Sequence, residues 1–234
     1  MSSQKPLVVV LSGAGISAES GLQTFRVQGG LWDRYPLHEV ARAEAWQADP
    51  QRVLDFYNLR RRLVCQSQPN AAHQSLVALE RHAEVQIITQ NIDDLHERAG
   101  SSRVLHLHGE ILWGRSSVDP ACRQYIGDRD IEPGEQAADG SLLRPDVVWF
   151  GEPVPAITEA IDWVSQADVV LVVGTSLSVY PAASLIDFAP MEATTVLIDP
   201  DAESHQGRVQ QLRAGDAAVE LPRWVDGFAG QGVR

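Results

Sequence analysis

Short apolar runs recur along the chain, and each gives way to small or polar residues. Residues 7–11 are followed by SGAGISAES, 85–89 by QNIDDLHERAG and 104–107 by HGE. Residues 169–173 are followed by GTS, and 196–198 by DPDAES. Runs this short and this rich in Val, Ile and Leu fit strands buried on both faces. Between them lie stretches of helical periodicity near 37–46, 50–66, 70–82, 93–99, 155–166, 180–188 and 217–228. The alternation predicts an α/β fold, a parallel sheet with helices on both faces. In such sheets ligands bind at the carboxyl ends of the strands, where the unusual residues of this chain collect.

Two regions interrupt the alternation. Residues 22–70 place a loop and helices before the second strand, and 112–143 are polar, weakly periodic and punctuated by Gly and Pro. The latter predicts a small irregular lobe or a long surface excursion. The helix over 50–66 carries an anomaly. At about 100° per residue, Val53, Phe56, Leu59, Leu63 and Val64 share one face, and Arg61 and Arg62 project away from it. Arg60 falls in the middle of that face, with Tyr57 at its edge. A cation there needs a negative partner, either a structural carboxylate or a substrate.

The chain has 234 residues, 44% of them hydrophobic, enough for a substantial core. Its net charge of −12 argues against non-specific binding of nucleic acid or anionic membranes. No segment approaches the length of a membrane span, and the N-terminal apolar run is too short for a signal peptide, so a cytoplasmic protein is expected. Two cysteines, Cys65 and Cys122, exclude a disulfide framework and a four-cysteine zinc site within one chain.

The strand ends carry the candidate chemistry. Gly13, Gly15 and Ala18 match G-x-G-x-x-G/A between a strand and a helix, suited to a pyrophosphate or simply to a tight turn. The acidic residue that ordinarily follows about 20 residues on in dehydrogenase domains has no counterpart, because the next strand begins near Val85. Gln90, Asn91 and Asp93 stand where a strand ends, and either Asp93 or Asp94 could cap the helix that follows. His106 and His108 share one strand face, and His108 at the strand end suits a general base or a structural role. Gly174, Thr175 and Ser176 offer small donors, and Asp199 offers a carboxylate for ribose hydroxyls. Trp149 and Phe150 end an apolar run, as core or as an aromatic wall.

In this order, GAGISAESGLQTFR, TQNIDDLHERAG, LHGE, VVWFGE and GTSLSVYPA resemble the sirtuins, the NAD-dependent protein lysine deacylases. The resemblance runs from about residue 7 to 228 and implies a single catalytic domain over 1–234. Its Rossmann-type doubly wound core would comprise 1–26, 85–111 and 144–234, with a smaller lobe built from the insertions 27–84 and 112–143. NAD and an acyl-lysine of a protein substrate would meet between them. The acyl oxygen would attack the anomeric carbon as nicotinamide leaves, with His108 as base on a ribose hydroxyl and Asn91 and Asp93 completing the catalytic set. Gly13, Ala14 and Gly15 would cradle phosphates, with Glu19, Phe25 and Arg26 also on the cofactor side. Gln90, Asn91 and Asp93 would hold the nicotinamide and its ribose. Gly174, Thr175, Ser176, Asp199, Asp216 and Ala217 would hold the adenosine side. Val148, Trp149 and Phe150 would line the acyl-lysine tunnel.

Tyr57 and Arg60 resemble a pair found in the sirtuin subgroup that favours malonyl- and succinyl-lysine. Residues i and i+3 share a helix face, a guanidinium grips a carboxylate with two hydrogen bonds, and a phenol adds a third. The resemblance therefore implies removal of succinyl, malonyl and also acetyl groups. The alternatives are a plain deacetylase with Arg60 structural, a mono-ADP-ribosyltransferase, or a non-catalytic sensor of NAD or ADP-ribose. The chain departs from the family in its small lobe. Ser116 stands near where the first zinc-cysteine pair would begin and Cys122 is alone, so no structural zinc is expected and Trp113 and Tyr125 are candidates for packing the lobe. Leu197 also stands where many relatives carry Asn.

Overall fold

Residues 5–22 and 34–230 are described by a computed structural model of the chain. Six parallel strands form the central sheet: β1 (Leu7–Ser12), β2 (Glu84–Thr89), β3 (Val104–His106), β7 (Val169–Val173), β8 (Thr194–Asp199) and β9 (Gln211–Ala214). Their order is β3-β2-β1-β7-β8-β9, a doubly wound Rossmann-like sheet that changes direction between β1 and β7. Alternate side chains of each strand enter different cores. Val8, Val10, Ile87 and Leu171 pack on helices α4 (Ala71–Leu79) and α7 (Ala217–Gly230). Val9, Leu11, Ile88 and Val170 pack on α6 (Ile157–Val164) and the 3-10 segment Ala182–Phe188. With both faces covered, the strand runs are apolar without interruption, and each buried Val or Leu contributes about 1.5–3 kcal/mol relative to exposure.

A second, antiparallel sheet of order β5-β4-β6 consists of β4 (Gly109–Ser116), β5 (Arg123–Tyr125) and β6 (Leu143–Val147). The expectation of an irregular region over 112–143 is corrected here. Strand pairing of Trp113 with Tyr125 and of Ser116 with Leu143 organises it, and a period-2 signal is hard to see in strands of three to eight residues. Trp113 and Tyr125 meet edge to face at 5.4 Å.

Helices α1 (Leu37–Val40), α2 (Ala43–Ala48) and α3 (Pro50–Gln66) pack with Ile111, Val147 and Trp149 in a third core. The single helix expected over 37–46 is broken, because Ala41 and Arg42 leave helical geometry and the backbone pairs with Phe150. Residues 50–66 form the expected helix, started by Asp49, whose carboxylate accepts from the Arg52 amide. Its facing differs from the expectation. Arg61 is 0% exposed and Leu63 is 40% exposed. The helix is buried on two sides, with Val53, Tyr57 and Val64 toward the third core and Leu54, Asn58 and Arg61 toward the small sheet. Arg61 Nε donates to the Ile111 carbonyl at 2.8 Å and its Nη1 to Asn58 Oδ1 at 2.6 Å. Burial lowers its pKa to about 10.

The small sheet closes on a hydrogen-bonded knot. Buried Ser116 Oγ accepts from the amides of Val118 and Asp119, donates to Asp139 at 2.6 Å, and lies 2.7 Å from Ser141 Oγ. The donors for a zinc ion do not fit there: the cysteines are free, and among the described residues no three His, Cys, Asp or Glu gather as a metal site. Nor is any described helix long and apolar enough to cross a membrane. Ser116→Ala removes the acceptor of two amides and should cost about 1–2 kcal/mol. Hydrogen exchange at Val118 and Asp119 should accelerate accordingly; unchanged protection would show that the knot does not hold the lobe.

Candidate active site

The site begins where β1 and β7 leave the sheet. Gly13 N–H donates to the Val173 carbonyl at 3.0 Å, and Gly15 N–H to that of Gly174 at 2.8 Å. A Cβ on Gly15 would stand 2.7 Å from Gly174 Cα, and one on Gly174, whose φ is +62°, would overlap the Ile16 nitrogen. The glycines are thus required first by this backbone crossing. Ala14 then opens the 3-10 segment Ala14–Ser20, whose first N–H groups have no partner within the helix. Glu19 sits exposed on that segment, and Phe25 and Arg26 lie outside the described residues.

Ser17 on the same segment is a hub that the sequence pattern did not reveal. Its Oγ donates to Asp93 Oδ2 at 3.2 Å and lies 3.1 Å from Asn91 Nδ2, which also donates to the Gly13 carbonyl. Gln90 Nε2 donates to Thr175 Oγ1 at 3.1 Å. The segment 90–93 is thereby tied to both β1 and β7. Asp93 takes the capping role left open above: its Oδ1 accepts from the Leu95 amide at the start of α5 (Leu95–Ala99), while its Oδ2 meets Ser17. Burial raises its pKa, against the bonds from Leu95 and Ser17. Asp94 instead pairs with Arg98.

Strand β3 ends at His106, and His108 lies in the link to β4. The two histidines shift in opposite directions. His106 Nδ1 faces the Asn91 carbonyl at 3.2 Å and its Nε2 faces Glu97 at 2.8 Å, so both nitrogens face acceptors, an arrangement that favours the protonated ring. Burial opposes that charge, but the Glu97 carboxylate outweighs it and the pKa is raised. His108 Nδ1 faces the Gln90 carbonyl at 3.0 Å, and burial lowers its pKa. Its neutral tautomer therefore carries the proton on Nδ1 and leaves Nε2 as a base. Gly109 follows because a Cβ there would overlap the Asp146 carbonyl.

The His108 carbonyl accepts from the Val148 amide at 2.9 Å, which brings the end of β6 beside the base. Trp149 is buried, and its Nε1–H donates to Tyr57 Oη at 3.1 Å. Burial raises the Tyr57 phenol to about 12, although Arg60 opposes this. Burial also lowers the pKa of Arg60, whose guanidinium lies over the Phe56 ring and within electrostatic reach of Tyr57 and Asp93. Phe150 is half-exposed beside them. On the far side, Asp199 ends β8 buried, and the Gly215 amide bonds its carbonyl, so Asp216 and Ala217 lie next to it. Ser176 Oγ bonds Ser178 Oγ at 2.6 Å.

A layer below this site also escaped the sequence reading. Ser12 Oγ lies 3.0 Å from His96 Nε2, and His96 meets His73 at 5.0 Å between ring centroids. Asn70 caps α4 and donates to the Ile16 carbonyl and Ser20 Oγ, anchoring the 3-10 segment. Asn70 and His73 form a capping box, with His73 in the place that Glu or Gln ordinarily takes, so the usual sequence signature is missing.

Parallel strands, a glycine crossing at their switch point and polar groups converging at the strand ends define a Rossmann-like protein with a strand-end ligand site. A family model described as Sir2 family matches residues 13–181, and the chain belongs to that family. A protein of Helicobacter pylori named NAD-dependent protein deacylase is 55% identical over 197 residues, covering 84% of this chain and 86% of its own length. One of Bacteroides thetaiotaomicron with the same name is 48% identical over 215 residues, covering 89% and 92%. Among solved structures, a Sir2 homologue in complex with NAD superimposes with a TM-score of 0.88 at 39% identity, covering 97% of this chain and 91% of its own.

The buried histidines dictate a pH dependence. Burial lowers the pKa of His73 to about 4 and that of His96 well below its ordinary value. The unfolded chain binds these protons first, so the stability they contribute is complete at neutral pH and is lost as pH falls from about 6.5 toward 4. His73 alone accounts for about 2 kcal/mol at pH 5. Urea unfolding at pH 7 and pH 5 should show that loss, and His73→Asn should shrink it. Equal pH slopes in the two proteins would contradict neutral burial of His73.

Proposed function

We infer that the chain is an NAD-dependent protein lysine deacylase that favours acyl groups ending in a carboxylate. The observation that carries the preference is the pairing of Tyr57 and Arg60 on one face of α3, next to the segments 90–93 and 148–150. The strand-end residues suit NAD. The Gly13–Gly15 crossing leaves backbone and a helix start for phosphates, Asp199 is a buried carboxylate at a strand end, and Asn91 and Asp93 follow Gln90, whose carbonyl holds the base. Bound there, NAD supplies an activated ribosyl carbon from which nicotinamide departs.

The chain's own residues then divide the work. Gly13, Ala14 and Gly15, with Glu19, Phe25 and Arg26, take the phosphate side. Gln90, Asn91 and Asp93 hold the nicotinamide ribose, while Gly174, Thr175, Ser176, Asp199, Asp216 and Ala217 take the adenosine side. His108, with Nδ1 bonded to the Gln90 carbonyl, receives a proton from a ribose hydroxyl at Nε2. Val148, Trp149 and Phe150 hold the acyl-lysine of the protein substrate. Arg60 meets the distal carboxylate of a succinyl or malonyl group, and Tyr57 adds a hydrogen bond. The products are the free lysine, nicotinamide and O-acyl-ADP-ribose.

The test is kcat/KM for one peptide carrying acetyl-, malonyl- or succinyl-lysine. The wild type should prefer the acidic acyl groups by about tenfold or more. Arg60→Met should reduce desuccinylation by at least about tenfold, as expected for a charge-assisted hydrogen bond, and spare deacetylation. If both activities fall equally, Arg60 is structural. His108→Tyr should abolish both reactions without loss of fold, and persistent turnover would remove His108 from the mechanism.

A further inference from the structure

Tyr57 has a constrained proton. An indole N–H only donates, so in the 3.1 Å contact Trp149 Nε1 gives its hydrogen to Tyr57 Oη. That occupies one lone pair of the phenol oxygen and leaves the phenolic hydrogen for another acceptor. The indole is itself held. The Arg144 guanidinium stacks on it with its central carbon 3.2 Å from the ring centroid, and Trp46 packs at 5.8 Å. Arg144 is fixed in turn by Glu152 at 2.6 Å and the Val147 carbonyl at 2.8 Å, and Glu152 also accepts from the Trp149 amide at 2.8 Å. Clamp, indole and phenol form one chain of contacts running from β6 to α3. All three side chains are buried.

We propose that Trp149 and Arg144 are positioning residues for acyl selection: the indole N–H, locked by the stacked guanidinium, orients Tyr57 so that its hydroxyl donates to the substrate's acyl carboxylate. This rests on the acyl preference inferred above. It gives Trp149 a role that lining a tunnel does not require, since a phenyl ring would line the tunnel equally well. Arg144 and its partner Glu152 both stand within electrostatic reach of Tyr57, with opposing effects on its phenol.

The experiment is a double-mutant cycle on acetyl and succinyl peptides with Trp149→Phe, Tyr57→Phe and the double variant. Trp149→Phe keeps an aromatic ring and deletes only the donor and part of the ring area. Both peptides share whatever loss the altered tunnel wall causes, and kcat/KM for the succinyl peptide should fall about fivefold further than that for the acetyl peptide, through KM rather than kcat. In the Tyr57→Phe background that difference should vanish. A loss equal on both peptides, or a difference undiminished when Tyr57 is absent, overturns the proposal while leaving the acyl preference intact. A wild type without preference for the succinyl peptide overturns both. Should Trp149→Phe fail to fold by near-ultraviolet circular dichroism, Arg144→Lys, which keeps the charge but not the planar stack, reads the same coupling. It should lower the succinyl-to-acetyl ratio in the presence of Tyr57 and not in its absence.

Discussion

The site depends on how closely two stretches of backbone approach where the sheet reverses direction. Carbonyls at the end of β7 accept the amides of Gly13 and Gly15, and side chains at Gly15 or Gly174 would force the segments apart. This contact draws the segment Ala14–Ser20 across the strand ends. Ser17 then lies under Asn91 and Asp93, and Gln90 reaches Thr175. Once the crossing exists, three strand ends share one hydrogen-bonded floor. Without it each would be a separate loop.

On that floor, histidines of one short segment acquire opposite characters from their neighbours alone. His106 lies between a carbonyl and a carboxylate that raise its pKa, whereas His108 has a carbonyl on one nitrogen and burial around it that lowers its pKa. A base must be neutral before it acts, so the environment separates the two where residue type does not. The Val148 amide, bonded to the His108 carbonyl, then sets the distance between the base and the aromatic segment that follows β6.

Helix α3 joins the two sheets and explains why three consecutive arginines behave differently. Arg60 lies on the side of Tyr57, Arg61 is inserted between the helix and the small sheet among carbonyl oxygens, and Arg62 pairs at the surface with Asp130. The small sheet supports this arrangement through the Asn58 contacts to Ile131 and through the Ser116 knot. Its order therefore bears on the acyl side of the site as well as on its own stability.

The strand and helix series was legible in the sequence because burial on both faces leaves unbroken apolar runs, and because each run ends in the small polar residues that ligands need. The α3 helix was legible for the same reason, through the period of its apolar positions. Period alone assigns one buried face, however, and α3 has two. That is why Arg61 and Leu63 exchanged places relative to expectation. The small sheet was hidden because strands of three to eight residues carry little periodic signal and a pairing partner lies as far along the chain as Val147 from Gly109. Ser17 and His96 were invisible because each acts through contacts distant along the chain. Local order, residue type and spacing were determined by the sequence itself. Which nitrogen holds a proton, which arginine is buried and which hydroxyl is free to donate were decided only when distant segments packed together, since hydrogen-bond partners and desolvation exist only in three dimensions.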